Sequence, residues 1–326
     1  MPQMTMVQAI NLAMKEAMRE DETVVVLGQD VGKDEGVFRV TEGLLKEFGP
    51  ERCIDTPLAE AAIAGGTIGL ALAGMTPICE MQFDGFAYQA LHQIEGHARR
   101  FRNRTRGRYT VPMVMRFPYG GGIRAIEHHS EAPEATYAHW AGLKVVLPSG
   151  PRNARALLRA AILDPDPVIY MEPKALYRAF REEVPEEPET MEIGKAVVAR
   201  EGDDITLISY AATARTTLEA AEELEEDHNI SAEVIDLLSV SPLDSTTINE
   251  SVQKTGRAVV VHEAPRHCSV SSEIVARIVE DSLLFLEAPV KRVTGFDTAI
   301  PFFANELTYI PDVGRVIKGA LETMKF

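Results

Sequence analysis

The feature that most constrains this chain is an alternation of two apolar patterns. Short runs of strand length, apolar almost throughout, recur between segments whose apolar residues fall at helical spacing. Residues 23–27 read TVVVL, and residues 76–79, 111–115, 144–147 and 167–171 are runs of the same kind. A strand that is apolar on both sides must be covered on both faces, which suits a parallel sheet with helices above and below it. Thr5 is placed to cap a first helix that buries Met6, Ile10, Ala13 and Ala17. Phe86, Ala90, Ile94 and Ala98 repeat at i+4 and predict a second helical stripe.

The stretch REEVPEEPETME, residues 181–192, is acidic, holds two prolines and lacks periodicity, so it reads as a linker. Beyond it come a strand over 204–209, a helix over 214–227, a strand over 232–238, a helix over 245–254, a strand over 257–261, a helix over 269–281 and a last strand over 290–293. This repetition predicts a second parallel or mixed open sheet. The expected fold class is α/β: two open, mostly parallel-sheet domains, over residues 1–185 and 192–326.

Charge narrows the function. The 33 basic residues stand against 49 acidic ones, a net charge of −16. That disfavours nucleic acid and anionic membranes, which need a basic face, but leaves room for a small anionic substrate at a local basic cluster. Cys53, Cys79 and Cys268 are few and far apart, so they offer no disulfide framework and suit a reducing compartment. No signal-peptide pattern or apolar run of membrane-spanning length occurs, and the expected location is cytoplasmic. Gly28 and Gly32 follow a strand but lack the spacing of a dinucleotide fingerprint, and no Gly-Lys-Ser/Thr phosphate loop occurs.

Two stretches carry candidate chemistry. Residues 54–74 read IDTPLAEAAIAGGTIGLALAG. Pro57 holds the residue before it extended, and a helix is expected to open near Ala59. Gly65, Gly66 and Gly69 lower the propensity of that helix by roughly 1 kcal/mol each, and the usual return is close backbone approach to a neighbour. Glu60 is the one carboxylate at its mouth. By spacing alone the commoner reading is a first-turn glutamate that complements the helix dipole; the other is a carboxyl in an apolar setting that shares a proton with a ligand. The second stretch, RFPYGGGIRAIEHHSE over 116–131, places Gly120, Gly121 and Gly122 before His128, His129 and Ser130. Such a loop at the C-terminal end of a strand is where open α/β sheets place ligands, although a solvated histidine pair is an equal reading. Zinc is a poor third, since no further Cys or His lies at ligand spacing. His92 and His97, five apart, do not share a helical face, and His262, His267 and Cys268 match no standard metal spacing.

The motifs MTMVQAI, VFRVTEGL, DTPLAE, GGG with HHS, GLKVV, EPKALYR, SAEVIDLL and KTGRAVVVHEAPRH follow one another through nearly the whole chain. Together they resemble the β subunits of the 2-oxo acid dehydrogenase E1 component, the group that includes the pyruvate and branched-chain enzymes. The resemblance implies a thiamin diphosphate pyrimidine-binding domain followed by a transketolase C-terminal-type domain. It also implies an α2β2 heterotetramer, with the cofactor held between α and β, that decarboxylates a 2-oxo acid and reductively acylates the lipoyl groups of E2.

By that resemblance Glu60 hydrogen-bonds N1′ of the aminopyrimidine and promotes the imino tautomer that deprotonates the thiazolium C2. Phe86 packs on the pyrimidine, Leu58 and Gln82 are nearby contacts, and His129, rather than His128, assists acylation of the lipoyl group. The Gly-Asp-Gly motif that holds Mg²⁺ and diphosphate in thiamin enzymes is missing here. In the family it belongs to the α subunit, so the chain is expected to be inactive alone. The resemblance further implies a potassium site at Met113, Ala161, Ile162, Asp164 and Asp166, and docking of the E2 peripheral binding domain near Glu287 and the carboxylate of Phe326. Gln29 and His92 depart from the acids usual in relatives. EPKALYR and REEVP lean toward branched-chain relatives. An acetoin-cleaving β subunit and a non-catalytic assembly subunit are the alternatives.

Overall fold

Thr5 opens the first helix, α1 (Met6–Glu20), through a reciprocal cap: its hydroxyl accepts from the Gln8 amide while the Gln8 side chain accepts from the Thr5 amide. Met6, Ile10, Ala13, Met14 and Ala17 form its buried face. That face packs on a later helix that begins with Pro151 in its first turn, where a missing N–H does no harm. Glu16 on α1 receives Arg155 and Arg159 from this helix, at 2.5 Å from Arg155 Nη2 and 3.3 Å from Arg159 Nη1.

In this computed structural model, which describes residues 1–301 and 303–326, the chain forms two compact units. The first holds residues 1–119 and 136–193, and the second holds residues 120–135 and 194–326. The sequence-based boundaries of 1–185 and 192–326 run in chain order; in space, the glycine–histidine loop at 120–135 clusters with the second unit.

The first unit carries β1 (Val24–Gly28), β2 (Cys53–Asp55), α2 (Glu60–Leu72), β3 (Thr76–Glu80), β4 (Val114–Tyr119), β5 (Lys144–Val146), α3 (Pro151–Leu163) and β6 (Val168–Pro173). Its strands pair in the order β5-β6-β4-β3-β1-β2, each pair parallel. Val24, Val25, Val26 and Leu27 are all buried, as a doubly covered strand requires, and each such side chain contributes about 1.5–3 kcal/mol.

Three local expectations change. Pro112 has no N–H to give a ladder, so the strand expected at 111–115 begins at Val114 and runs on to Tyr119. The stripe Phe86, Ala90, Ile94, Ala98 lies on a broken series of short helices, Asp84–Ala87, Tyr88–Ala90, Leu91–Gly96, Ala98–Arg100 and Phe101–Arg104. Ala90, Ile94 and Ala98 are still buried. The expected linker is fastened: Glu182–Glu183 pairs antiparallel with Gln3–Met4, and Arg155 donates to the carbonyls of Pro185, Glu186 and Glu187.

The second unit carries β7 (Val197–Arg200), β8 (Ile205–Ser209), α4 (Ala212–His228), β9 (Ala232–Asp236), α5 (Ser245–Thr255), β10 (Ala258–Pro265), α6 (Val270–Ser282), β11 (Lys291–Gly295) and α7 (Val313–Thr323). The strands pair in the order β11-β10-β8-β9-β7, all parallel except β7, which runs antiparallel to β9. Leu207, Val234, Val259, Leu224 and Val316 join in one core between sheet and helices. The alternation read beyond residue 204 is thus realised, with β7 and α7 added at its ends.

Candidate functional site

In the first unit the strand order reverses beside β1. The loop after β1 leads to β2 on one side, and the loop after β3 leads to β4 on the other, which opens a crevice at the C-terminal ends of β1 and β3. The loop after β1 is pinned by Asp55, whose carboxylate accepts from the amides of Gly32 at 2.7 Å and Lys33 at 3.0 Å. Across the crevice the Gln82 amide donates to Asp30 at 2.9 Å.

The floor of this region is ionic. Arg116 on β4 is fully buried and forks onto Glu172 of β6, at 2.6 and 2.8 Å, while its remaining nitrogen binds Glu80 of β3. The Tyr177 hydroxyl also donates to Glu172. Burial pushes the Glu80 carboxyl up, and the Arg116 charge opposes that shift. Removing one member of such a group strands a buried charge, so the cluster fixes the strand ends rigidly.

Glu60 stands just past this edge as the first residue of α2, which Ala59 precedes without a side-chain cap. Its side chain is buried, 4% exposed, yet makes no hydrogen bond or ion pair with another described residue. A buried carboxyl without a partner calls for a ligand. Leu58, 67% exposed, precedes it, and half-buried Phe86 lies edge-on to Phe83 at 5.7 Å. Leu58 and Glu60 follow β2, and Gln82 and Phe86 follow β3, so the topology brings all four to the C-terminal edge of one sheet.

The body of α2 buries Ile63, Ala64, Thr67, Ile68 and Ala71 and leaves Ala61, Ala62, Gly66 and Gly69 exposed. The close neighbour expected for its glycines is absent for Gly66 and Gly69: among the described residues, no heavy atom outside the adjoining backbone of the helix lies within 4 Å of where their Cβ atoms would be.

His129 belongs to the second unit. Its loop is anchored by two distant carboxylates that the sequence reading did not single out. Gly121 N–H points at Glu263 of β10 at 3.4 Å, and Gly122 N–H donates to Glu306 at 2.6 Å. A Cβ at Gly120, where φ is +77°, would overlap the Glu263 carboxylate. A Cβ at Gly121 would lie 2.7 Å from Ile310 Cδ1 and 2.9 Å from Glu306 Oε1. The glycine run is therefore required by what occupies the side-chain positions. Beside it, buried Glu134 accepts from the Tyr210 hydroxyl at 2.7 Å, and burial pushes its carboxyl up to about 8. His128 has φ +65°, and His129 Nδ1 lies 2.7 Å from the Glu127 carbonyl.

The remaining candidates fall elsewhere. Met113, Ala161, Ile162, Asp164 and Asp166 lie toward the N-terminal ends of the first unit's strands, away from the Glu60 edge. Asp164 pairs with Lys144 at 2.5 Å and Asp166 with Arg102 at 2.7 Å, while the Met113 and Ala161 carbonyls accept from Val168 and Asp164. Each carboxylate thus faces a protein cation. The His92 and His97 rings, expected apart, lie 5.8 Å from each other, because the helix stops at Gly96 and His97 takes φ −128°, ψ −68°. His262 is buried against Tyr210 and bonds Ser271 at 2.9 Å; burial pushes its ring down to about 3, and among the described residues no His, Cys, Asp or Glu group is arranged for a metal.

Comparison with known proteins shows the family and the fold. The family model for the pyrimidine-binding domain of transketolase matches residues 2–179, and that for the transketolase C-terminal domain matches residues 194–315. The chain is 50% identical over 326 residues to a protein named pyruvate dehydrogenase E1 component subunit beta from Staphylococcus epidermidis, and 48% identical to one of the same name from Bacillus subtilis, with both chains covered completely in each case. Among solved structures, a split-gene transketolase described as an inactive beta4 tetramer superposes with a TM-score of 0.79 at 22% identity, covering 99% of each chain, which shows the shared fold.

Proposed function

This chain belongs to the β subunits of the 2-oxo acid dehydrogenase E1 component, a thiamin-diphosphate-dependent family, and from that membership we propose how its own residues serve the reaction. The observation that carries the reading is Glu60, a buried carboxyl with no partner among the described residues, at the C-terminal edge of the first sheet. Glu60 holds a proton at N1′ of the aminopyrimidine. Phe86 and Leu58 offer apolar surface to the ring, and Gln82, held by Asp30, borders it. Bound thiamin diphosphate supplies the electron sink for decarboxylation, while the protein supplies orientation and proton control. His129, with Nδ1 turned to a backbone carbonyl, moves a proton to or from the lipoyl group during reductive acylation.

The partner assignments follow from what this chain carries. It has no Gly-Asp-Gly motif, so Mg²⁺ and the diphosphate are held by an α subunit in an α2β2 assembly. Gly66, Gly69 and the exposed alanines of α2 form a smooth apolar face suited to contact with another chain. The E2 peripheral binding domain docks around Glu287, which is 60% exposed and adjoins exposed Leu283, Leu284 and Phe285, and around the exposed Phe326 terminus. The E2 lipoyl domain delivers the group that is acylated. The substrate is pyruvate, in keeping with the names of the relatives at 48–50% identity rather than with the branched-chain lean of EPKALYR and REEVP.

The test is reconstitution with the α chain and an E2 lipoyl domain, followed by mass measurement of acylated lipoyl groups. Pyruvate-driven acylation that falls by about 10²–10⁴ in Glu60→Gln supports the assignment. Unchanged acylation in that variant refutes the role of Glu60, and acylation by branched-chain 2-oxo acids alone refutes the substrate.

A further inference from the structure

A cleft of about 440 Å³ runs between the edge strand β11 and helix α7 of the second unit. Its size lies within the roughly 300–1,000 Å³ of small-molecule sites. Arg266, Lys291, Arg292, Arg315 and Lys318 line it, against two acids, Asp297 and Glu322, so five positive charges less two negative give +3. The chain as a whole carries −16. A positive concavity on so acidic a protein concentrates the field for an anion.

The cations are oriented rather than cancelled. Arg315 donates to the carbonyls of Tyr309, at 3.0 Å, and Thr294, and lies over the Phe296 ring at 4.7 Å. Arg292 donates to the Arg266 carbonyl at 3.2 Å and the Ser272 hydroxyl at 3.0 Å. Carbonyls and hydroxyls fix these guanidinium groups and leave their charge standing. Glu322 is taken by Lys291, and Asp297 accepts the His267 amide at 2.7 Å. Arg266 and Lys318 form no ion pair with any described residue. Arg266 and Phe296 follow the C-terminal ends of β10 and β11, where a parallel sheet places its ligands. Partial burial lowers both Arg292 and Arg315, and the neighbouring Arg266 charge lowers Arg292 further, a strain that a bound anion relieves.

We propose that this cleft is a binding site for a small organic phosphate carrying at least two negative charges. Fixed guanidinium forks match phosphate oxygens in pairs, and Arg266 and Lys318 close on the charge that remains. The half-exposed Phe296 ring offers a flat surface to the organic part. The site uses no residue of the thiamin reading, so neither stands or falls with the other.

The experiment is calorimetric titration of inorganic pyrophosphate into the full chain at low salt. It compares the parent chain, Arg266→Gln with Lys318→Gln, and a control that removes the same charge elsewhere, Arg106→Gln with Arg108→Gln. All four side chains are exposed, and a thermal melt of each variant confirms that it folds. The proposal expects one saturable site per chain, at least about tenfold weaker in the cleft variant, unchanged in the control and weakened by salt. Equal weakening in both variants marks an unspecific charge effect and overturns it, as does unchanged affinity in the cleft variant or no saturation. Saturable binding of a poly-glutamate peptide where pyrophosphate fails overturns it in favour of an acidic protein partner.

Discussion

Gly66 and Gly69 on α2 face open space, whereas Cβ atoms at Gly120 and Gly121 would run into Glu263, Glu306 and Ile310. Both sets lie in small, apolar or loop-like sequence, and nothing in their composition separates them. The loop glycines are explained inside the chain: two carboxylates occupy the side-chain positions and draw the backbone N–H groups toward them. The helix glycines find no explanation inside the chain, and an outer face of alanine and glycine next to Glu60 points to a neighbour that the chain does not itself provide. Complete packing at the loop and open space at the helix are what the proposed sharing of the site between two subunits would produce.

The largest effect that sharpens this comparison is at the mouth of the unfinished helix. Glu60→Gln is isosteric and removes a proton-sharing group, so turnover by the enzyme assembled with its α subunit drops by about 10²–10⁴. Urea denaturation of the isolated chain should show an unchanged midpoint, since the near-isosteric Gln keeps the packing and Glu60 makes no hydrogen bond or ion pair with a described residue to lose. A shifted midpoint would mean that Glu60 serves the fold of this chain.

The next effect is at the finished loop. Gly120→Ala places a Cβ against Glu263 at a positive φ, which destabilises the isolated chain by about 1–3 kcal/mol in urea denaturation. A substitution tolerated without change breaks the claim that the loop is packed from within.

The third concerns pH. Glu134 is pushed up to about 8 in the fold from its ordinary 4.5. Its contribution is fully present below 4.5, where the folded and unfolded states both bind the proton. It is lost as pH rises toward 8, because the unfolded chain ionises first and the buried carboxyl cannot follow cheaply. The slope approaches about 1.4 kcal/mol per pH unit in that window. Glu134→Gln should flatten it, as measured by denaturation midpoints from pH 5 to 8; an identical pH profile in that variant contradicts the assignment.

The smallest effect has the opposite sign to the second. Gly69→Ala fills open space on a helix and stabilises the isolated chain by up to about 1 kcal/mol, yet it weakens association with the α chain in a pull-down titration. Stabilisation with undiminished association would leave the small-residue face of α2 without a use.

Local rules made much of this legible. The Thr5–Gln8 cap, the valine run of β1 and the alternating elements beyond residue 204 each depend on neighbours a few positions apart. So does the placing of Glu60 at a helix mouth. The anchors of the glycine loop were not legible, because Glu263 lies 142 residues from Gly121 and Glu306 lies 184 from Gly122. Glu263 stands inside HEAPRH, which helped to mark the family but gave no sign of its loop contact. The meeting of His92 and His97 was hidden by assuming one unbroken helix, when Gly96 ends it. The cations that face Asp164 and Asp166 were not legible either: Lys144 is 20 residues from Asp164, and Arg102 is 64 from Asp166.

The central claim is that this chain holds the pyrimidine half of a cofactor site and needs another chain for the rest. Isothermal titration of thiamin diphosphate with Mg²⁺ tests it most directly, on this chain alone and after co-expression with an α chain carrying Gly-Asp-Gly. The account predicts saturable binding in the assembled sample only. Tight binding to this chain alone would show that it carries its own diphosphate clamp and would contradict the division of the site.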